Sequence, residues 1–130
     1  MTYSRLAPKS RIGRKGEDIA ARYLKDNGYK LLERNYRTKF GELDIVAEEI
    51  RSGLLVFIEV KTLAKKLSSL KGLVPEDNIS WRKLRALQRI AQFFANKHPE
   101  LIGDQGWRID LFTISFLGAD RCRVRHYENI

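Results

Sequence analysis

Apolar residues recur at three- and four-residue spacing from Ile12 onward: Ile12, Gly16, Ile19, Ala20, Tyr23 and Leu24 fall on one stripe. That period predicts an amphipathic helix. Asn27-Gly28 gives it a strong stop, because glycine tolerates the left-handed cap. Glu17 is the odd member: it stands three residues before Ala20 and seven before Leu24, so it should lie on or beside the core-facing side. The pattern then changes. Residues 29–37 (YKLLERNYR) read as a strand, Lys39-Phe40-Gly41 as a turn, and 42–47 (ELDIVA) as a second strand. After a turn at Arg51-Ser52-Gly53, residues 54–62 form the third and most apolar strand. Turns this short predict an antiparallel meander.

Residues 63–77 read as a long loop carrying Lys65, Lys66 and Lys71 among serines and a glycine. Loops of this length are often functional or mobile. Asn78 or Ser80 can cap a second helix running to about residue 96, with an apolar stripe of Trp81, Leu84, Leu87, Ala91 and Phe94. Trp81 and Phe94 are expected in the core. Arg82, Arg85 and Arg89 fall together on another face, and Lys97-His98-Pro99 ends the helix. Residues 107–116 (WRIDLFTISF) alternate like a strand, and 121–127 form a last edge strand. Residues 1–11 read as a flexible basic arm and 12–130 as a single domain, with no internal repeat or linker. The order of helix, three strands, helix, one or two strands predicts an α/β fold with a mixed central sheet flanked by helices.

The third strand poses a chemical problem. Side chains alternate between faces, so Val56, Ile58 and Val60 share one side while Leu55, Phe57, Glu59 and Lys61 share the other. A carboxylate and an ammonium thus end an otherwise apolar face, and a buried charge without partners costs several kcal/mol. A salt bridge from Glu59 to Lys61 or to a helix arginine is one answer. The second strand offers another. Asp44 stands among Leu43, Ile45 and Val46, and the meander would set it beside Glu59. Neighbouring carboxylates repel unless they share a proton or hold a cation. Hard carboxylate oxygens suit Mg²⁺ or Mn²⁺. With the inward Glu17, three acids and one lysine would converge, a set suited to metal-assisted phosphodiester hydrolysis. Lys61 would orient the attacking water or stabilise developing negative charge.

Charge sharpens the choice of partner. The 130 residues carry 25 Lys and Arg against 16 Asp and Glu, a formal +9, which favours polyanions. Cys122 is the only cysteine, which excludes an intramolecular disulfide and a thiolate zinc cage and fits a reducing cytoplasm. His98 and His126 are too few and too far apart to suggest a histidine metal site. No apolar h-region follows the basic N-terminus, and no run approaches the ~20 apolar residues of a membrane span, so neither secretion nor a membrane partner is expected.

Five stretches, GRKGEDIAARYL, LLERNYR, GELDIVA, FIEVKT and WRIDLFTI, occur in an order that resembles the YraN-like uncharacterised proteins of bacteria. The resemblance runs from about Ile12 to the C-terminus. That family is similar to the PD-(D/E)XK nucleases, close to the archaeal Holliday-junction resolvases. The resemblance implies a restriction-endonuclease-like core, with Asp44 as the motif Asp, Glu59-Val60-Lys61 as the Glu-x-Lys, and Glu17 as the first-helix acid of the resolvase-like branch. It also implies a Mg²⁺- or Mn²⁺-dependent endonuclease acting on branched or structured DNA, and, as for resolvases, a homodimer. Two departures stand out: Leu43 replaces the Pro of the superfamily motif, and Leu63 replaces an expected Arg after Val-Lys-Thr.

Around this site, Lys65, Lys66, Lys71, Arg82, Lys83, Arg85 and Arg89 are the candidate phosphate contacts, and Lys83 is the second-helix residue expected to approach the acids. Asp110 is expected to pair with Arg108, and Glu42, beside a turn, to sit at a solvated edge. The same fold and charge would also serve a module that holds DNA, RNA or a protein partner without cutting.

Overall fold

The computed structural model describes residues 11–63, 79–118 and 121–130. Helix α1 (Arg11–Asp26) leads into three strands, β1 (Tyr29–Thr38), β2 (Gly41–Glu49) and β3 (Leu54–Leu63). Helix α2 (Trp81–Lys97) and a short 3₁₀ turn (Pro99–Leu101) precede β4 (Trp107–Phe116) and β5 (Cys122–Tyr127). The five strands form one sheet in the order β1-β2-β3-β4-β5. The β1–β2, β2–β3 and β4–β5 pairs are antiparallel, whereas β3 and β4 run parallel, so the sheet is mixed as expected.

The meander is set by its turns. Gly41 takes φ +130, and the Thr38 hydroxyl accepts from the Phe40 amide at 3.0 Å, closing the first hairpin. β2 extends two residues beyond the expected strand because Glu48 and Glu49 stay in register with Lys30 and Tyr29. β3 reaches Leu63 because its parallel ladder with β4 continues to the Leu63–Ser115 pair. Ser80 is the cap of α2, its side chain accepting from the Lys83 amide at 3.0 Å.

β3 is covered on both sides, which explains its long apolar run. Val56 and Ile58 pack with Ala20, Ala21 and Leu24 of α1. Leu55 and Phe57 pack with Leu87, Ile90 and Phe94 of α2. Phe94 is a true core residue, edge-on to Phe57 at 5.6 Å and to Tyr36 at 5.2 Å. Each such side chain contributes about 1.5–3 kcal/mol by leaving water.

Trp81 contradicts its expected place: it is 74% exposed. Helical period gives its direction correctly, but the buried stretch of α2 begins only at Leu87. Ile12 and Tyr23, also on an expected core stripe, are exposed as well. Arg11, assigned from sequence to the arm, already belongs to α1. Residues 1–10 and most of the predicted 63–77 loop, with Lys65, Lys66 and Lys71, lie outside the described residues.

Two contacts lock the layers. At Gly16 a Cβ would collide with the Thr62 hydroxyl, so α1 meets the end of β3 with backbone alone. Asp110 is wholly buried and fully engaged. It takes Arg108 Nε at 2.9 Å and Nη2 at 3.1 Å, the Asn129 amide at 2.9 Å, and lies 2.7 Å from His126 Nε2. These hydrogen bonds and the Arg108 charge hold its carboxyl below the usual range against the opposing effect of burial. Arg108 reaches on to the Tyr29 hydroxyl at 3.0 Å, and burial pushes that phenol up to about 12.

Gly16→Ala should destabilise the protein by about 1–3 kcal/mol through overpacking. The same change at an open helical site would stabilise by up to about 1 kcal/mol, so the sign in urea denaturation tests the contact. Asp110→Ala should cost about 3–5 kcal/mol in the same measurement, because it removes at once the buried partner of Arg108, His126 and the Asn129 amide.

Candidate functional site

The β2–β3 ladder runs from Glu49–Leu54 to Ile45–Ile58. The next pair in that register would be Asp44 and Glu59. There the side chain of Asp44 takes over from the backbone: its Oδ2 accepts the Val60 amide at 2.7 Å. The bond is short because the acceptor is a carboxyl oxygen. Asp44 is buried, and so is most of Glu59, whose side chain is 15% exposed.

The expected pair is therefore assembled. Burial and the adjacent Asp44 push the Glu59 carboxyl up to about 8, and a hydrogen bond to Asp44 favours the protonated form. Lys83 pulls the other way, with its ammonium 3.3 Å from Glu59 Oε2. Lys83 is thus the α2 residue that reaches the acids, as expected. It does so from the first turn of α2, which lies against the same face as Leu55 and Phe57. Lys61, next after Glu59 on that face, is exposed and stands in register with Thr113.

Glu17 occupies a different setting. It is buried on α1, immediately after the Gly16–Thr62 contact, with Arg34 of β1 at 3.9 Å. Arg34 also holds Asp18 at 2.8 Å. Among the described residues, no three His, Cys, Asp or Glu side chains are grouped closely enough to hold one metal ion. Asp44 and Glu59 remain the two acids side by side. Two carboxylates with open water positions are the donor set Mg²⁺ usually takes, since it dehydrates reluctantly and completes its shell with waters and phosphate oxygens.

Arg82, Arg85 and Arg89 are exposed on α2, a helix that contains no acid at all. Arg85 and Arg89 are four residues apart, a like-charge spacing that costs an isolated helix a few tenths of a kcal/mol. Glu42 departs from the solvated edge expected of it: it is half-buried and paired with Arg37 at 3.2 Å, its partner across the β1–β2 ladder. Arg34 was not foreseen as a partner of the α1 acids. Its cue was a cation in the first strand, whose facing cannot be read through the bulge between Leu31 and Glu33.

Residues 16–114 match the uncharacterised protein family UPF0102. The chain belongs to that family. The match spans all five motif stretches from which a YraN-like resemblance was drawn, apart from the first residues of the first. Among UPF0102 relatives, a Syntrophotalea carbinolica protein is 45% identical over 98% of this chain and 93% of its own. A Thermotoga maritima protein is 38% identical over 90% of this chain and 94% of its own. One from Persephonella marina is 41% identical over 78% and 81%. The solved structure of Pyrococcus furiosus SfsA in complex with Ca²⁺ aligns with 89% of this UPF0102 chain at TM-score 0.41 and 19% identity. This chain spans 62% of the length of that one. No helix among the described residues is long and apolar enough to cross a membrane.

The raised Glu59 carboxyl has a signature in stability. The folded protein keeps that proton up to about pH 8, while the unfolded chain releases it near the ordinary glutamate value of 4.5. The folded state therefore binds more protons across that window, and this group's contribution to stability is lost as pH rises through it. Glu59→Gln, which mimics the protonated acid, should flatten the fall in Tm between pH 5 and pH 8. An unchanged fall would assign it to another group.

Proposed function

We propose that this UPF0102 protein is a metal-dependent endonuclease with a restriction-endonuclease-like core, hydrolysing DNA phosphodiester bonds in branched or structured DNA. One observation carries the reading: Asp44 and Glu59 are held together, largely out of water, at the place where β2 and β3 cease to pair. A carboxyl pair of this kind where two strands part gains from a dication, and a basic surface beside it gains from a polyanion.

In this reading Asp44 and Glu59 hold the metal, with Val60's amide fixing the orientation of Asp44. Mg²⁺ or Mn²⁺ there would supply Lewis acidity and charge neutralisation at the phosphate. Glu17 completes the shell, directly or through water, with Arg34 as its counter-charge. Lys61, at the solvent end of the same face, orients the attacking water. Lys83 serves as the counter-charge of Glu59 and turns to a phosphate oxygen when substrate is bound. Arg82, Arg85 and Arg89, with Lys65, Lys66 and Lys71 of the segment before α2, hold backbone phosphates, which makes binding steeply salt-dependent. A four-way junction presents two strands to cut, so two copies acting together belong to the proposal.

The rival reading, a nucleic-acid-holding module without hydrolysis, draws on the Lys83 contact: an ammonium already neutralises Glu59. Incubating the protein with Mg²⁺ or Mn²⁺ and a panel of duplex, flap and four-way-junction DNA, alongside RNA, separates the two. The endonuclease reading expects cleavage of the branched DNA, lowered about 100-fold or more by Asp44→Asn or Glu59→Gln. Calorimetry should show Mn²⁺ binding that both variants weaken. Binding without cutting, indifferent to both substitutions, supports the module instead.

A further inference from the structure

The face of the sheet that carries Glu59 continues across β4 to β5. Glu59 is in register with Leu111, and Leu111 with Tyr127. One step further along, Lys61 meets Thr113, and Thr113 meets Arg125. All six stand on the α2 side of the sheet by alternation. Tyr127 therefore lies two strand spacings, roughly 10 Å, from Glu59. The first turn of α2 spans the same interval from above, with Lys83 at Glu59 and Trp81 and Leu84 over the C-terminal strand.

Between them is a groove of about 680 Å³. Its walls are Ile79, Trp81 and Leu84 on one side and Tyr127 and Ile130 on the other, with Glu128 among the polar residues lining it. That size suits a ligand of small-molecule dimensions. Glu128 is engaged with Arg108 at 3.0 Å. The surroundings are basic: Arg82 and Arg85 are exposed on α2, and Arg123 and Arg125 are exposed on the β5 face that carries Tyr127. An apolar slot with two aromatic walls inside a cationic frame matches a nucleotide, whose base is flat and uncharged while its phosphates stay outside.

We propose that this groove receives an unpaired nucleobase of the DNA strand whose phosphodiester lies at Asp44 and Glu59. The proposal rests on the endonuclease reading and narrows its substrate to DNA with an unpaired stretch next to the scissile bond. The base stacks on Trp81, its neighbouring phosphates contact Arg85 and Arg125, and the strand continues over Lys61 to the acid pair. A base already out of the duplex stack enters without the cost of unpairing, whereas a base in continuous duplex must be pulled out first. Tyr127 closes the slot from the sheet side.

The test is binding, measured by fluorescence anisotropy in EDTA, so that no hydrolysis intervenes. The probes are fluorescein-labelled dT₂₀ and a blunt 20-base-pair duplex. Trp81→Ala should weaken dT₂₀ binding about 5- to 100-fold while leaving the duplex and the salt slope unchanged. Trp81→Phe should restore most of the loss, because a ring is retained. Trp81 is largely exposed, so neither change removes core packing. Equal binding of dT₂₀ by the wild type and Trp81→Ala overturns the proposal. So does an equal loss for dT₂₀ and duplex, or tighter Trp81-dependent binding of rU₂₀ than of dT₂₀. Sedimentation of both proteins adds a further arm: a dimer that dissociates in Trp81→Ala, with dT₂₀ binding intact, assigns the groove to a second copy instead. Trp81-dependent dT₂₀ binding in a protein that cuts nothing would leave the groove standing and remove the endonuclease reading.

Discussion

A backbone amide inside a sheet must find an acceptor, and at Val60 the acceptor is the side chain of Asp44. Much follows from this substitution of side chain for main chain. β2 and β3 pair as an ordinary ladder up to Ile45 and Ile58 and then part. Beyond that point β3 continues only with its parallel neighbour β4. The parting leaves room for side-chain oxygens where a sheet would have carbonyls, and Glu59 is placed beside them. The apolar strand therefore does two things in sequence: it builds the core over four buried residues, Leu55 to Ile58, and then presents polar groups at its end.

The electrostatics of that end are unresolved by the protein's own groups. Burial and Asp44 favour a neutral Glu59, and Lys83 favours a charged one. By contrast, Asp110 on the opposite face is met by Arg108, His126 and an amide, and its carboxyl lies below the usual range. Two buried acids in one small sheet thus shift in opposite directions. One is satisfied by its neighbours, as structural acids are; the other is held in a poorly compensated state, as functional acids often are.

Much of this was legible in the residues. Alternation along β3 placed Glu59 and Lys61 on one face and Val56 and Ile58 on the other, and both cores are built that way. The short turns placed Asp44 beside Glu59, because a meander leaves little freedom of register. The pairing of Asp110 with Arg108 was readable from their spacing, but His126 and Asn129 were not, since they arrive from a strand and a tail far away in sequence. Trp81 was misplaced for a different reason. Helical period reports the direction of a side chain around the axis and says nothing about where the opposing surface stops. Glu17 was correctly read as inward, yet its company depends on Arg34, whose side of β1 is decided by a bulge.

The contact between Gly16 and Thr62 has a mechanical meaning. A helix resting on a sheet through ordinary side chains can slide by a fraction of a turn and repack. Here one residue without a side chain sits on a hydroxyl with no clearance, so α1 is seated like a key in a slot. The position of Glu17 along the strand is therefore set by backbone geometry rather than by its own ion pair. Enlarging residue 16 is compatible with the same seating only if residue 62 shrinks, which makes the two positions a single steric unit divided between a helix and a strand.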